Sequence, residues 1–316
     1  MITRFAHPAL ASSTITDGGA GRRRGKVLEL GCGKGGDLNK WSKARIKEYV
    51  AFGILPVISL ALSARLPGYL SPDVAAVSVD QARARWETLP RASRFDATFS
   101  ALDCYAESLN HGVLPARLAE PFDVVSMQFC MHYAFESEAK ARCMLENATR
   151  WLRPGGIFVG TIPNAEQLLA RLDQVPADAP GLSFGNSVYS IKFETRDSRP
   201  SYGHRYSFFL QDAVEDVPEY IVRWEHFVRC VHTPSLPQCL KRTLIDISRL
   251  AEEYNLYPVY KKEFHEVFEE FHEHPEFRSL LQRMNVVDTN GETEMDEDQW
   301  EAASTSSPAL CCRFCC

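Results

Sequence analysis

The sequence has no apolar run long enough to span a bilayer, no cysteine spacing of a metal site, no internal repeat and no long basic block. Its longest uncharged apolar stretch, residues 49–64, contains Pro56 and stops at Arg65 and Pro67, short of the ~20 residues that a spanning helix needs. That excludes a membrane-spanning reading. Residues 1–10 are too short and too polar for a secretory leader, so a reducing compartment is expected for the cysteines. Cys32, Cys104, Cys130 and Cys143 are scattered among apolar residues, where a free thiol behaves as a small hydrophobe. The terminal run Cys311, Cys312, Arg313, Phe314, Cys315, Cys316 lacks zinc-site spacing, and no metal is expected.

What is present suits an ordinary globular enzyme. Hydrophobic residues make up 45%, charged residues 24% and aromatics 11% of 316 residues, enough to bury a large core. The net charge of -6 is local in origin: Asp288, Glu292, Glu294, Asp296, Glu297, Asp298 and Glu301 crowd one short segment. The remainder is close to neutral, so charge neither favours nor excludes an RNA partner.

The chain opens as an α/β unit. Residues 26–30 read as a buried strand, and Gly31-Cys32-Gly33-Lys34-Gly35-Gly36 follows at once. A helix over 38–46, with Asp37 as its N-cap, comes next. Strands are expected over 75–79, 99–102, 122–127 and 157–161, and helices over 81–89 and 136–152. The long helix stops at Arg153-Pro154-Gly155-Gly156. This order predicts a doubly wound, mostly parallel sheet. Residues 184–193 and 204–209 alternate like an antiparallel pair, and 264–282 reads as helical.

The glycine loop matches G-x-G-x-x-G, which fits a dinucleotide oxidoreductase as well as a methyltransferase. Three features favour the methyltransferase. Glu29 precedes the first glycine, where such folds carry an acid facing the cofactor. Asp103 closes a strand, placed to bond an adenine amino group. The Leu152-Arg153-Pro154-Gly155-Gly156 turn leads from a helix into a strand.

Longer strings narrow the family. Residues 30–38 (LGCGKGGDL), 128–136 (QFCMHYAFE), 160–164 (GTIPN), 183–186 (SFGN) and 216–220 (DVPEY) stand in order. Together they resemble the messenger-RNA cap guanine-N7 methyltransferases, a class I, Rossmann-like fold with an antiparallel C-terminal part. The resemblance implies S-adenosyl-L-methionine as cofactor, held by Gly31, Asp73 (ribose), Asp103 (adenine), Gln128 and Tyr133. It implies a cap site of Lys34, Lys40, Arg85, His132 and Glu219. Glu219 suits the N1–H and exocyclic amine of guanine, and the cations suit a triphosphate. No catalytic acid or base is implied, because guanine N7 carries a free lone pair; proximity and orientation carry the reaction. The implied partner is the capped RNA 5′ end, with transcription or capping machinery beside it, no DNA and no membrane. The implied location is nuclear, although Arg22-Arg23-Arg24 with Lys26 is too short for an import signal.

The resemblance treats residues 1–316 as one domain and leaves four departures. The family's N-terminal helix, with its cofactor lysine, is expected to be missing except for its end at residues 1–6. Residues 53–72 are expected to split a core strand that otherwise runs from 49–52 into 73–77, which sets Asp73 about twice as far from the loop as the usual ~20 residues. Residues 230–249 are expected to split a helix joining 224–229 to 250–254. Residues 304–316 form an atypical tail where the family has an apolar strand. Both insertions and the tail resemble translated intron sequence, with genuine surface loops as the alternative. An inactive variant of the same enzyme and a nucleotide-dependent oxidoreductase remain the competing functions.

Overall fold

Buried strands of continuous apolar sequence dictate a sheet covered on both faces, and that is what the chain forms. The computed structural model describes residues 2, 6–12, 25–54, 74–212, 214–224, 250–284, 286–288, 290–293, 295–306 and 308–314. Along the chain run β1 (Lys26–Leu30), β2 (Glu48–Gly53), β3 (Asp96–Ala101), β4 (Phe122–Gln128), β5 (Leu152–Thr161), β6 (Ser183–Gly185), β7 (Tyr189–Phe193), β8 (Arg205–Leu210), β9 (Val214–Tyr220), β10 (Leu256–Glu263) and β11 (Pro308–Phe314). The main sheet has the order β10-β11-β5-β4-β1-β2-β3, and β6-β7-β8-β9 form a second, antiparallel sheet. Strands β1 to β5 are mutually parallel. β11 runs against both β5 and β10. The doubly wound, mostly parallel sheet with an antiparallel C-terminal part is therefore present.

Helices α1 (His7–Ser12), α2 (Leu38–Ala44), α3 (Val74–Glu87), α4 (Glu138–Thr149), α5 (Ala165–Gln174), α6 (Phe264–Phe271), α7 (Pro275–Arg283) and α8 (Glu297–Ser306) complete the described elements used below. α4 starts where Ser137 accepts from the Lys140 amide at 3.3 Å and buries Ala141, Met144, Leu145 and Ala148. Those apolar positions stand three and four apart and present one face to the core. α6 and α7 divide the helix expected over 264–282; Pro275 begins the second, as suits the first turn of a helix.

Three expectations are corrected and a fourth, the cap of α2, is met in position only. Residues 75–79 lie in α3; the second strand is β2, with all six of its residues buried. β2 is complete: Glu48 to Gly53 pair in register with Asp96 to Ala101. No core strand is split there: Gly53 ends β2, and α3 begins at Val74. Asp37 occupies the N-cap position of α2 without a capping hydrogen bond, because its carboxylate bonds Lys40 instead. The tail is not missing its strand, since Ala309 to Arg313 pair with Thr161 to Ile157. The proposed split of the helix by 230–249 lies outside the described residues, as does Asp73. Among the described residues no helix is long and apolar enough to cross a membrane.

Glu29 is a buried acid within β1, 3% exposed. Its Oε2 is engaged within the fold, accepting from Trp41 Nε1 at 2.7 Å and from the Tyr49 hydroxyl at 2.9 Å. Burial, with Asp37 nearby, pushes its carboxyl up to about 8 against those two donors. The folded state thus holds a proton that the unfolded chain releases near the ordinary carboxylate value. This contribution to stability is full below that value and is lost as pH rises toward about 8. Glu29→Gln keeps an acceptor for both donors and removes the charge. Thermal denaturation at pH 5 and pH 8.5 should show little change at the lower pH. At the higher pH it should show stabilisation on the order of 1–3 kcal/mol. Equal melting curves at both values would mean that Glu29 is not kept protonated by the fold.

Candidate functional site

Strand order reverses between β1 and β4, and in such sheets the crevice outside the carboxyl ends of the strands is the ligand position. The loop after β1 forms its floor. Gly31, Gly33 and Gly35 have φ of 80°, 48° and 76°, a left-handed region open to glycine. The amides of Gly31 and Cys32 both donate to the Phe52 carbonyl, at 2.8 and 3.0 Å. Cys130 Sγ donates to the Leu30 carbonyl at 3.1 Å, and the Tyr105 hydroxyl to the Cys130 carbonyl at 2.6 Å. These bonds tie the ends of β1, β2 and β4 together.

A Cβ at Gly31 would meet Cys130 Sγ at 2.5 Å, whereas one at Gly33 would meet no protein atom within 4 Å. The space above Gly33 is open. Asp103, two residues past β3, orients its carboxylate by accepting from the Tyr105 amide at 3.0 Å. Gln128, the last residue of β4, donates to Ser126 Oγ at 3.1 Å. Gly31, Asp103 and Gln128 thus share the carboxyl edge of the sheet.

The second group of expected residues meets where a 3-10 turn, Met131–Glu136, approaches β9. Glu219 is 5% exposed. Its Oε2 accepts from the Tyr206 hydroxyl at 2.7 Å and its Oε1 from the Tyr133 hydroxyl at 3.3 Å. His132 Nε2 stands 3.2 Å from Oε1, but off the line of an aligned bond, so neither ring nitrogen has a hydrogen-bond partner. Burial pushes the Glu219 carboxyl up; the neighbouring His132 ring and the bonds from Tyr206 and Tyr133 outweigh it and hold the group below the ordinary carboxylate value. Burial and this carboxylate push the Tyr133 and Tyr206 hydroxyls up. A charged acceptor thus faces two fixed donors.

Around this group lies a cavity of about 280 Å³, walled by Phe129, His132, Tyr133, Pro163, Tyr189 and Phe208 among others, with Glu219 as its carboxylate. Its volume is close to the lower end of the roughly 300–1,000 Å³ of small-molecule sites and suits one flat base. Phe129, between Gln128 and the 3-10 turn, lines this cavity. It has φ of 54°, is 49% exposed, and donates its amide to Thr161 Oγ1 at 2.9 Å. On the far wall, the Tyr189 hydroxyl accepts from Arg171 at 2.7 Å and donates to Glu301 at 3.2 Å. Arg171 also pairs with Glu301, which fixes α8 and its Ala302 against the cavity.

The cations are not gathered there. Lys34 is exposed on the loop, and Lys40 is exposed and paired with Asp37. Arg85 is exposed on α3, one turn beyond Ala82, whose Cα a Cβ at Gly35 would approach to 3.2 Å. Phe129, Tyr189 and Tyr206 were not singled out from sequence. A left-handed phenylalanine has no sequence signal, and the two tyrosines reach the cavity only through the second sheet.

The family model for the mRNA (guanine-N(7))-methyltransferase domain matches residues 13–61 and 58–307. The mRNA cap guanine-N(7) methyltransferase of Cryptococcus neoformans var. neoformans serotype D is 48% identical over 284 residues, covering 90% of this chain and 39% of that protein. The Schizosaccharomyces pombe mRNA cap guanine-N(7) methyltransferase is 38% identical over 281 residues, covering 88% of this chain and 65% of that protein. This chain therefore spans less than two thirds of either relative. Among solved structures, the CcbJ methyltransferase from Streptomyces caelestis matches with a TM-score of 0.45 and 12% identity, covering 98% of this chain and 86% of that one.

Proposed function

The chain belongs to the mRNA (guanine-N(7))-methyltransferase domain family, and from that membership we propose that it methylates N7 of the guanine capping an mRNA, with S-adenosyl-L-methionine as donor. The observation that carries this reading is the ionised, buried Glu219 inside an aromatic cavity, one wall of which, Phe129, directly follows Gln128 at the carboxyl end of β4. Each Glu219 oxygen accepts one tyrosine hydroxyl, and a carboxylate oxygen has a second lone pair to offer. Two parallel acceptors match the N1–H and exocyclic amine of guanine, and a methylated, cationic base strengthens both bonds. The aromatic walls suit the faces of the ring.

The crevice suits the donor: Gly31 and Gly33 keep the loop low, Asp103 offers a carboxylate at the edge, Gln128 ends β4 beside it, and Tyr133 lines the neighbouring cavity. When bound, S-adenosyl-L-methionine supplies a methyl group on a sulfonium sulfur. The chain's residues hold, align and exclude water; none is asked to move a proton. Lys34 and Arg85, exposed beside the loop, suit the cap triphosphate, and Lys40 serves only by exchanging Asp37 for phosphate. A nuclear location is part of the same reading, tested by imaging a fluorescent fusion.

Calorimetric titration with S-adenosylhomocysteine and with NAD, followed by methyl transfer to capped and uncapped RNA, tests the proposal. Binding of S-adenosylhomocysteine and methylation of the capped RNA alone are expected. NAD binding without S-adenosylhomocysteine binding would replace the reading with an oxidoreductase. Gly33→Ala sharpens the test, because its Cβ meets only open space and its left-handed backbone costs about 1–2 kcal/mol. The melting temperature should fall by a few degrees while S-adenosylhomocysteine affinity drops tenfold or more. Unchanged affinity would remove the loop from the site. Gly31 is a poorer test, since a side chain there collides with Cys130 and disturbs the fold itself.

A further inference from the structure

Beside the aromatic cavity lies a smaller pocket of about 100 Å³, and Pro163 belongs to the walls of both. Arg223, Trp224, Lys261 and Glu166 line it. Arg223 follows the buried stretch Tyr220, Ile221 and Val222, so its backbone is anchored at the end of β9. Its Nε and Nη2 are out of contact with solvent and have no hydrogen-bond partner. These two nitrogens form one edge of the guanidinium, the pair of parallel N–H donors that grips two oxygens of one oxyanion. A guanidinium does not lose its charge, and each buried donor left unmade is costly. The edge thus keeps unused bonding capacity, and because it is closed to solvent in the free chain the side chain must shift into the pocket before an oxyanion can reach it.

A second cation stands at the same pocket. Lys261 Nζ lies 5.6 Å from the centre of the Trp224 ring and 3.3 Å from Glu166 Oε1. The Glu166 side chain is 64% exposed, so that ion pair is screened and readily exchanged for another anion. Glu166 itself repels an anion, and the pair must open for one to enter.

We propose that this pocket binds an internucleotide phosphate of the RNA chain that follows the cap, with the free edge of Arg223 gripping its two non-bridging oxygens and Lys261 neutralising its charge. This rests on the cap reading, which supplies the neighbour: a base in the cavity behind Pro163 brings a polyanionic chain to the molecule. A phosphorylated peptide has the same oxyanion, but nothing in the cavity next door calls for one. The pocket serves the length of the RNA and not the cap guanine, so substrates with and without a following chain should behave differently.

Steady-state methylation of a capped RNA of about ten nucleotides and of the dinucleotide GpppG tests this. For Arg223→Gln and for Lys261→Gln, KM for the long RNA should rise about tenfold at low salt, while GpppG keeps its KM and kcat. The slope of log KM against log salt for the long RNA should fall by about one per lost contact. Arg223→Lys should restore part of the KM, charge without the paired edge. Melting temperatures of these variants should not fall, because the changes remove an unpaired charge or an exchangeable surface pair. Equal losses on both substrates, or no loss on either, would overturn the pocket and leave the cap reading intact. If the unaltered chain methylates neither substrate, the cap reading fails. The pocket is then decided by fluorescence anisotropy with an uncapped RNA and a phosphoserine peptide. Tighter binding of the RNA, weakened by Arg223→Gln, supports it; preference for the peptide, or no effect of the substitution, overturns it.

Discussion

Glu219→Ala should lower kcat/KM for capped RNA by about 10²–10³-fold, through KM, and change S-adenosylhomocysteine affinity far less, through Tyr133 alone. The size follows from two charge-assisted hydrogen bonds lost together, roughly 3–4 kcal/mol at about 1.4 kcal/mol per tenfold. The separation of substrate from cofactor follows from geometry. Glu219 belongs to β9 of the second sheet, whereas the glycine loop, Asp103 and Gln128 belong to the main sheet. Because Glu219 also receives Tyr206 and Tyr133, alanine leaves two buried hydroxyls without an acceptor and lowers stability as well. Glu219→Gln removes that ambiguity. Its amide oxygen still accepts from a tyrosine, but its amide nitrogen presents hydrogens to the hydrogens of guanine, so the rate should fall nearly as far with a smaller loss of stability. Full activity on capped RNA in both variants would mean that the base is held elsewhere.

Removal of residues 308–316 should abolish cooperative folding or lower the melting temperature by well over ten degrees, on the order of several kcal/mol for a domain of this size. β11 is an interior strand. It pairs on one side with Ile157 to Thr161 of β5 and on the other with Leu256 to Glu263 of β10. Without it, both neighbours lose their ladder bonds, and β5, whose residues 157–161 are buried, gains an open edge. Circular dichroism and thermal scans of the shortened chain give the answer. A melting curve like that of the full chain would mean that residues 308–314 do not occupy this place. Excision of 55–72 should, by contrast, change stability little. Those residues connect β2 to α3, and loop length costs only about 0.6 kcal/mol per doubling.

The contrast shows where sequence was readable. β1, β4 and the core of β5 are short apolar runs next to turn signals, and α4 has apolar residues at three- and four-residue spacing; local chemistry decides them. β2 was misplaced because Tyr49 to Phe52 merge into the apolar run that continues past Gly53, so no polar residue marked its end. Ala75 to Val79 alternate no more like a strand than like a helix, and packing against β2 and β3 decides for α3. β10 and β11 depend on each other across 44 residues of intervening chain, a pairing that no local pattern announces. In the site, the strings around Gly31, His132 and Glu219 were legible through resemblance. The donors that tune Glu219 and the walls that enclose it were not, because Tyr189 and Tyr206 arrive from strands whose positions are set by tertiary contact.

The place of β11 also bears on the order of synthesis. β1 to β5 and then the whole second sheet can pair as the chain leaves the ribosome, since every strand there finds a neighbour either in the chain already made or, for β1 and β6, in the very next strand. β10 cannot: among the described residues its one neighbour in the sheet is β11, which comes last. Until residues 308–314 emerge, β5 carries an unpaired row of amides and carbonyls, and β10 has nothing to dock on. The growing chain therefore passes through a stage with an exposed sheet edge, the kind of surface that recruits strands from other molecules. Slow translation or arrest between β10 and β11 is the interval in which this protein is most exposed to aggregation and most dependent on chaperones.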